Sequence, residues 1–240
     1  IMHMAYNISD VAHAALMLNG EERAAKYLLA LNPQSETPVD ESVDDEPAFI
    51  IPEMPRMSPE ERVMFEKYLT KAKAYYEFGS GGSTKLATRH GVEVYGVESD
   101  KFWVETLRKE AGPLCKVEYV DIGPTKEWGY PVDETEKAKF PKYSEAIMRY
   151  KNGFDVILID GRFRVACTLN AIKHTLQHKS AAQKTLIIIH DFWDRPNYHV
   201  VLNFLDVVDS AESLGVFKLK KNIDLKHLAE KLREYKYVTA

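Results

Sequence analysis

Short apolar runs alternate with longer amphipathic segments along most of this chain. The runs are rich in β-branched, leucine and aromatic residues and end in polar or turn-forming residues, as buried parallel strands do. We predict strands at residues 74–78, 92–97, 115–120, 154–159, 185–189, 214–219 and 235–238. We predict helices at residues 58–73, 83–90, 101–111, 144–151, 165–179, 197–209 and 225–233. This alternation of strands and helices indicates an α/β fold.

The first 47 residues follow a different pattern. Residues 9–31 carry an apolar stripe that Asn19-Gly20 interrupts, which predicts two short helices, and residues 32–47 combine prolines with a run of acids, which predicts a linker. We therefore expect an N-terminal helical cap with an acidic linker at residues 1–47 and an α/β domain at residues 48–240. The α/β part opens with Ser58-Pro59-Glu60-Glu61, a capping box that marks a helix start.

Composition and charge narrow the class of protein. The chain has 240 residues, of which 45% are apolar and 28% charged, and these are ordinary globular values. A net charge of −4 argues against a general attraction to nucleic acid. No apolar run approaches the roughly 18 residues of a membrane span, and the N-terminus lacks a signal-peptide pattern. Cys115 and Cys167 have no disulfide or metal-site spacing, so we expect reduced, buried thiols in a cytoplasmic protein.

A glycine-rich turn follows the first predicted strand of the α/β domain. Gly79-Ser80-Gly81-Gly82 lies between that strand and a helix, where glycine lets a ligand approach the backbone and the helix N-terminus offers free N–H groups. A dinucleotide-binding fingerprint is incomplete here, because Thr84 stands where its third glycine or alanine belongs. Glu77, two residues before the first glycine, suits an ammonium group on the ligand instead. The alternative is a turn that merely packs the helix on the strand.

The motif Glu77-Phe78-Gly79-Ser80-Gly81 resembles the first motif of the class I S-adenosylmethionine-dependent methyltransferases. The resemblance implies a Rossmann-like, doubly wound, seven-stranded and mostly parallel sheet whose last strand is antiparallel. It also implies S-adenosylmethionine as cofactor. The implied cofactor-binding residues at this loop are Glu77, Gly79, Ser80, Gly81 and Ser83.

Two further strand ends fit a nucleoside ligand. Glu98, followed by Ser99, ends the second strand roughly 20 residues beyond the glycine turn, where a carboxylate accepts hydrogen bonds from ribose hydroxyls. The alternative for Glu98 is an exposed turn acid or a cap for the next helix. By the resemblance, Asp121 and Ile122 after the third strand flank the adenine ring.

The fourth strand ends in a charged cluster, Asp160-Gly161-Arg162-Phe163-Arg164. Asp160 could bind the cofactor, hold a metal ion or accept a proton from the nucleophile. Arg162 and Arg164 could bind an anionic acceptor, or they could form surface salt bridges. The long loop 123–131 is a candidate binding loop whose Trp128 could stack on a substrate.

His190 and Asp191 end the fifth strand, which we expect beside the fourth. One of the two could be a general base that deprotonates a hydroxyl acceptor. Alternatively, Asp160 with His190 or Asp191 could hold a divalent ion such as Mg²⁺. Metal-assisted O-methyltransferases of the resembled fold carry an Asp-Asn pair where this chain has His190-Asp191. A purely structural pair is the third alternative.

The sequence of residues 160–167 and 189–192 is similar to that of a bacterial group of predicted methyltransferases. This group is in turn distantly similar to plant glycan O-methyltransferases. The resemblance implies methyl transfer to an oxygen of a small molecule or a glycan, and the chain lacks the Asn/Asp-Pro-Pro-Tyr/Phe motif of amino-methylating enzymes. We therefore expect a small-molecule or glycan acceptor as partner, with no nucleic acid and no membrane, and a homo-oligomer is compatible with this interpretation. The alternatives are an NAD-dependent oxidoreductase and a non-catalytic cofactor-binding protein on the same fold.

Overall fold

The computed structural model describes residues 50–178 and 184–239, so the predicted N-terminal cap lies outside the described residues. The strands are β1 (Tyr75–Phe78), β2 (Val94–Glu98), β3 (Cys115–Tyr119), β4 (Val156–Ile159), β5 (Leu186–Ile189), β6 (Leu205–Ala211) and β7 (Leu214–Leu219). The α-helices are α1 (Pro59–Leu69), α2 (Gly82–Arg89), α3 (Lys101–Ala111), α4 (Pro141–Ser144), α5 (Arg164–Gln177) and α6 (Leu225–Tyr235). Single turns of 3₁₀ helix occupy Gly112–Leu114, Glu127–Gly129, Lys137–Lys139 and Ala146–Arg149, and a longer 3₁₀ segment occupies Pro196–Asn203.

The strands form one seven-stranded sheet in the order β3-β2-β1-β4-β5-β7-β6. Strands β1 to β5 are parallel, and β7 runs antiparallel to both β5 and β6. The predicted Rossmann-like fold is therefore confirmed, including its antiparallel last strand. Because the strand order reverses between β1 and β4, a crevice is expected at the carboxyl ends of these two strands.

Apolar side chains cover both faces of the sheet, because the parallel strands are buried on each side. Tyr76 and Phe78 of β1 point to the face that α4, α5 and α6 cover. Tyr75 points to the opposite face, where α1, α2 and α3 pack. Cys115 and Cys167 are buried and unpaired, as predicted. None of the helices in the described ranges combines the length and apolarity that a bilayer crossing needs.

Two C-terminal predictions were wrong. Residues 197–209 were predicted as one helix, but the chain forms the 3₁₀ segment Pro196–Asn203 and then strand β6. Strand β6 lies at the edge of the sheet with Val207 and Val208 exposed, so it lacks the continuous apolar run of the central strands. Residues 235–238 were predicted as the last strand, but α6 extends to Tyr235 and no strand follows it in the described chain. The place beside β5 is taken by β7, which pairs on its other side with β6.

Candidate active site

The carboxyl ends of β1, β2, β4 and β5 lie side by side at one edge of the sheet. Phe78 pairs with Val97 of β2 and with Ile159 of β4, and Ile159 pairs with Ile189 of β5. The residues that follow these strands therefore share one edge, and they include the glycine turn, Asp160 and His190. Most of the predicted site residues meet here, far apart in sequence but adjacent in the sheet.

The glycine turn is tightly packed between the loop after β4 and helix α3. Gly79 has φ of +83°, and a Cβ at this position would lie 2.6 Å from the backbone of Gly161 after β4. Both the backbone conformation and the close approach require glycine. On the outer side, the indole N–H of Trp103 donates to the carbonyl oxygen of Ser80 at 2.6 Å. The turn is thus held in place by protein contacts at both ends.

Glu77 is fully buried beneath the turn. Its carboxylate accepts hydrogen bonds from the hydroxyls of Tyr75 at 2.9 Å and Ser83 at 2.8 Å, and from that of Thr84. Burial raises the pKa of Glu77 to about 7, against the lowering effect of the hydroxyl donors. The structure therefore places Glu77 and Ser83 in the support of helix α2, whereas a direct contact of Glu77 with a ligand ammonium was predicted.

Glu98 at the end of β2 faces the turn from the other side. It accepts hydrogen bonds from the backbone N–H of Ser80 at 3.2 Å and of Ser99 at 2.6 Å. The 3₁₀ turn Glu127–Gly129 closes over this carboxylate, since a Cβ on Gly129 would lie 2.9 Å from Ser99 Oγ and 3.7 Å from Glu98 Oε1. Burial raises the pKa of Glu98, although its backbone donors act in the opposite direction.

The two residues predicted beside an adenine ring have different environments. Asp121 accepts a hydrogen bond from the backbone N–H of Gly123 at 2.8 Å and pairs with Lys139 at 2.9 Å. The hydrogen bond from Lys139 lowers the pKa of Asp121. Ile122 is fully buried in the core between the sheet and helices α4 and α5. Only Asp121, whose side chain is partly exposed, is therefore accessible from this end of β3.

His190 lies at the centre of a charged cluster at the ends of β4 and β5. Its Nδ1 is 2.9 Å from Asp160 Oδ1, and its Nε2 is 3.4 Å from Glu61 Oε2 and 3.8 Å from Asp191 Oδ1. Burial alone would lower the pKa of His190, but the hydrogen bond to Asp160 and the two aspartate charges raise it to about 9. His190 is therefore an imidazolium at neutral pH, with a carboxylate near each ring nitrogen.

The ionised state of Asp160 is stabilised by the same cluster. Burial opposes ionisation, yet the hydrogen bond from His190 and the charge of Arg164 hold the pKa of Asp160 below its usual value. Its Oδ1 takes both of these contacts, with Arg164 Nη2 at 3.1 Å. Oδ2 receives no hydrogen bond from the described residues, and the side chain is partly exposed. Asp160 therefore presents one oxygen that is available to a ligand.

The two arginines after β4 have different roles. Arg164 is buried and donates to the carbonyl oxygens of Gly161 and His190, and it pairs with Asp160 and Asp191. Its donors are thus used within the cluster, which corrects the prediction that it binds an acceptor. Arg162 is also buried, with 8% of its surface exposed, but its contact is with the ring of Tyr130, whose centroid lies 4.1 Å from the guanidinium carbon.

Trp128 does not lie in the crevice. It is 61% exposed and stacks against Arg56 at 4.5 Å, at the outer surface of the loop 123–131. The neighbouring Tyr130 points inward instead, toward Arg162. The loop lies beside the strand ends, and the aromatic residue that it presents to them is Tyr130, whereas Trp128 was the candidate for stacking on a substrate.

Asp160, His190 and Asp191 have ligand atoms within 4.8 Å of one another, a spacing that a divalent ion could bridge. However, His190 Nδ1 is bonded to Asp160 Oδ1 at 2.9 Å, so these two ligand atoms contact each other instead of an ion. Asp191 Oδ2 is already paired with Arg164 at 3.1 Å and with Arg195 at 3.0 Å. The residues in this arrangement do not fit a metal ion, and we derive no catalytic step through one.

Two members of the cluster, Glu61 and Arg195, were not predicted as site residues from the sequence. Glu61 was identified as part of a capping box, and that box is present, with Ser58 N donating to Glu61 Oε2 at 2.9 Å and Glu61 N to Ser58 Oγ at 3.2 Å. The same carboxylate also accepts from the backbone and hydroxyl of Ser213 and faces His190. Arg195 follows β5 by a few residues and pairs with Asp191. No local pattern marks the contact of Glu61 with His190, because these residues lie on separate elements, whereas Arg195 lies four residues after Asp191 in the same loop.

The sheet order, the reversal between β1 and β4 and the polar strand ends define the fold of the class I methyltransferases. No family model matches the chain, and no curated protein matches it. Among solved structures, it is similar to a methyltransferase-like protein (spo2022) from Silicibacter pomeroyi DSS-3, with 28% identity and a TM-score of 0.64 over 78% of this chain and 100% of that one. The resemblance to the class I methyltransferase superfamily is therefore confirmed.

Two further structures are more distant. A TehB-like SAM-dependent methyltransferase from Corynebacterium glutamicum is 12% identical, with a TM-score of 0.40 over 86% of this chain and 100% of that one. The SAH-bound methyltransferase PaMTH1 from Podospora anserina is 12% identical, with a TM-score of 0.45 over 92% of this chain and 100% of that one. Neither is similar enough to carry an argument about this site.

Proposed function

We propose that this protein is an S-adenosylmethionine-dependent methyltransferase that acts on a hydroxyl oxygen of a small molecule or glycan. The observation that carries the proposal is the pair of carboxylates at the strand ends, Glu98 and Asp160, on a fold shared with a methyltransferase-like protein. Glu98 would bind the ribose hydroxyls, and Asp121 would lie at the adenine end. When bound, the cofactor supplies a methyl group on a positively charged sulfur.

The hydrogen bonds of the glycine turn favour this cofactor over a dinucleotide. A dinucleotide fold directs the free N–H groups of the turn toward a pyrophosphate. Here the N–H of Gly81 is bonded to Thr84 Oγ1 at 3.0 Å, and Thr84 in turn donates to Glu77. The side chain of Thr84 thus takes up a donor that a pyrophosphate would need.

Asp160 is the group that we assign to proton transfer from the acceptor. A general base must be unprotonated and within reach of the proton that it takes. His190 does not meet the first condition, because its pKa is raised to about 9. Asp160 is ionised and has Oδ2 available, while His190 and Arg164 hold its other oxygen. In this proposal His190 and Asp191 are positioning residues, which revises the sequence-based hypothesis that one of them is the base.

Calorimetric titration of the purified protein with S-adenosylmethionine, S-adenosylhomocysteine and NAD tests the cofactor. We expect the two sulfur compounds to bind and Glu98→Ala to weaken both by at least about tenfold, since a hydrogen bond to a charged group contributes about 1.5–3 kcal/mol. Glu105→Ala, on the exposed side of α3, is the matched control. Binding of NAD alone would support the oxidoreductase alternative, and binding of none of the three would support the non-catalytic one.

The position of methylation requires a second experiment. The protein is incubated with ¹³C-methyl-labelled cofactor and a panel of hydroxyl-bearing small molecules and glycans, and the products are analysed by NMR. A methoxy carbon in the product, lost in Asp160→Asn, is the expected result. A label on nitrogen or sulfur would contradict the assignment of an oxygen acceptor, and full turnover by the variant would remove Asp160 from the chemistry.

A further inference from the structure

Arg162 is a buried cation whose guanidinium has no polar partner among the described residues. It is 8% exposed, its Nε is buried without a hydrogen-bond acceptor, and none of the described carboxylates lies within ion-pairing distance of it. Arg164, two residues further along the chain, is satisfied by contrast. Its guanidinium donates to the carbonyl oxygens of Gly161, His190 and Asp160, and it pairs with the carboxylates of Asp160 and Asp191. Burial of an unpaired charge is costly, so an anion that reached Arg162 would be bound favourably.

The contact with the ring of Tyr130 uses none of the N–H donors of Arg162. The ring of Tyr130 lies 4.1 Å from the guanidinium carbon, which is a stacking distance. A stacked guanidinium uses its face, while its N–H groups point outward in its plane, where they match the two oxygens of a carboxylate or phosphate. Tyr130 is itself held by the loop, since its carbonyl oxygen accepts from Lys126 N at 2.7 Å. The stack therefore orients Arg162 for an anion.

Arg162 lies beside the proposed cofactor site. A Cβ built on Gly129 would lie 3.8 Å from Arg162 Cγ and 3.7 Å from Glu98 Oε1, so both side chains border the same loop residue. Arg162 also follows Asp160 by two residues, and its charge helps to lower the pKa of that carboxyl. An anion bound to Arg162 would thus belong to a ligand that occupies the crevice between Glu98 and Asp160.

We propose that Arg162, oriented by the ring of Tyr130, is the receptor for a carboxylate or phosphate group of the ligand that occupies this crevice. The inference rests on the proposed function for the identity of that ligand. Two sources share the chemistry, namely the carboxylate of the methionine part of the cofactor and an anionic group on the acceptor. They are distinguished by experiment.

The test compares Arg162→Gln with the wild type by calorimetry, using S-adenosylhomocysteine and methylthioadenosine, which lacks the amino acid part. If the cofactor supplies the anion, the variant binds S-adenosylhomocysteine about 10- to 100-fold more weakly and methylthioadenosine unchanged. If the acceptor supplies the anion, wild type and variant bind S-adenosylhomocysteine equally well. Inorganic phosphate then binds to the S-adenosylhomocysteine complex of the wild type about tenfold more tightly than to the same complex of the variant. Arg233→Gln, on the exposed face of α6, is the control.

Three results would overturn the inference. The first is unchanged binding of both S-adenosylhomocysteine and phosphate in Arg162→Gln. The second is an equal loss of affinity for S-adenosylhomocysteine and methylthioadenosine, which would indicate a damaged pocket. The third is a fall in the melting temperature by much more than about 4 °C, because an unpaired cation contributes little to stability beyond its stack on Tyr130.

Two further comparisons separate this inference from its premise. Arg162→Lys keeps the charge but not the planar pair of donors, so it should restore only part of the lost affinity. If the wild-type protein binds neither sulfur compound, the proposed function fails. Phosphate binding to the free protein, compared between wild type and Arg162→Gln, then still decides whether Arg162 is an anion receptor.

Discussion

The charged state of His190 gives a prediction that separates a positioning residue from a general base. Its pKa is raised from 6.5 to about 9, mainly through the hydrogen bond to Asp160 and the charges of both aspartates, against the opposing effect of burial. A difference of about 2.5 between the two pKa values corresponds to about 3 kcal/mol, because each pKa unit is worth about 1.4 kcal/mol. His190⁺ should therefore stabilise the fold by about this amount.

The sign of the pH dependence follows from the direction of the shift. A histidine with a raised pKa in the folded state contributes its full stabilisation below the unfolded value of 6.5, and this is lost as the pH rises toward about 9. The carboxylates of Asp160 and Glu61 have lowered pKa values and stay ionised throughout this window. Arg164 also faces this residue, because its Nη1 donates to the carbonyl oxygen of His190. Within the cluster, His190 is thus the group that titrates.

The assay is urea unfolding of the wild type and His190→Gln at several pH values between 6 and 9.5. We expect the free energy of unfolding of the wild type to exceed that of the variant by about 3 kcal/mol more at pH 6 than at pH 9.5. The comparison cancels other groups that titrate in both proteins. His90→Gln is the control, since His90 is exposed and lies 3.8 Å from a single carboxylate, Glu66.

A difference between wild type and His190→Gln that does not change with pH would refute this reasoning. It would mean that folding does not raise the pKa of His190, so that its imidazole is neutral above about pH 6.5 and is again a candidate base. Methyl transfer gives an independent check. With His190 as a positioning cation, activity at neutral pH is retained and declines as the pH approaches 9, whereas a histidine base of the same pKa would be inactive at neutral pH and gain activity there.

Three further predictions follow from the site. Glu77→Gln should flatten the stability profile between about pH 4.5 and 7. Burial raises the pKa of Glu77 to about 7, so over this range the unfolded chain gives up the proton that the folded wild type keeps, and the wild type becomes less stable as the pH rises. A profile of the variant as steep as that of the wild type would contradict this. Gly79→Ala should lower the free energy of unfolding by about 1–3 kcal/mol more than Gly91→Ala does. Both glycines have positive φ, but only a Cβ at position 79 would meet backbone atoms, at 2.6 Å. Equal losses of stability in the two variants would refute the close approach. Treatment with a chelator should leave methyl transfer unchanged, and a loss that Mg²⁺ restores would show that the cluster holds a metal.

The sequence alone determined the features that depend on neighbouring residues. Continuous apolar runs predicted β1, β4 and β5, because strands buried on both faces need apolar side chains at successive positions. The capping box at Ser58 and Glu61 was predicted from spacing, since its partners are one helical turn apart. Because the strands were predicted to be parallel and the fourth and fifth to be neighbours, the sequence also predicted that their carboxyl ends meet at one edge of the sheet.

Tertiary structure decided how each polar side chain is used. Arg162 and Arg164 look equivalent in the sequence, yet Arg164 points into a ring of acceptors from two strand ends and Arg162 stacks on a loop tyrosine. Glu61 caps a helix by a local pattern, but it reaches His190 only because α1 packs near the end of β5. The physical reason is that charge, hydrogen bonding and burial depend on distances in space. For residues on different elements, such as Glu61 and His190, the separation along the chain does not predict that distance.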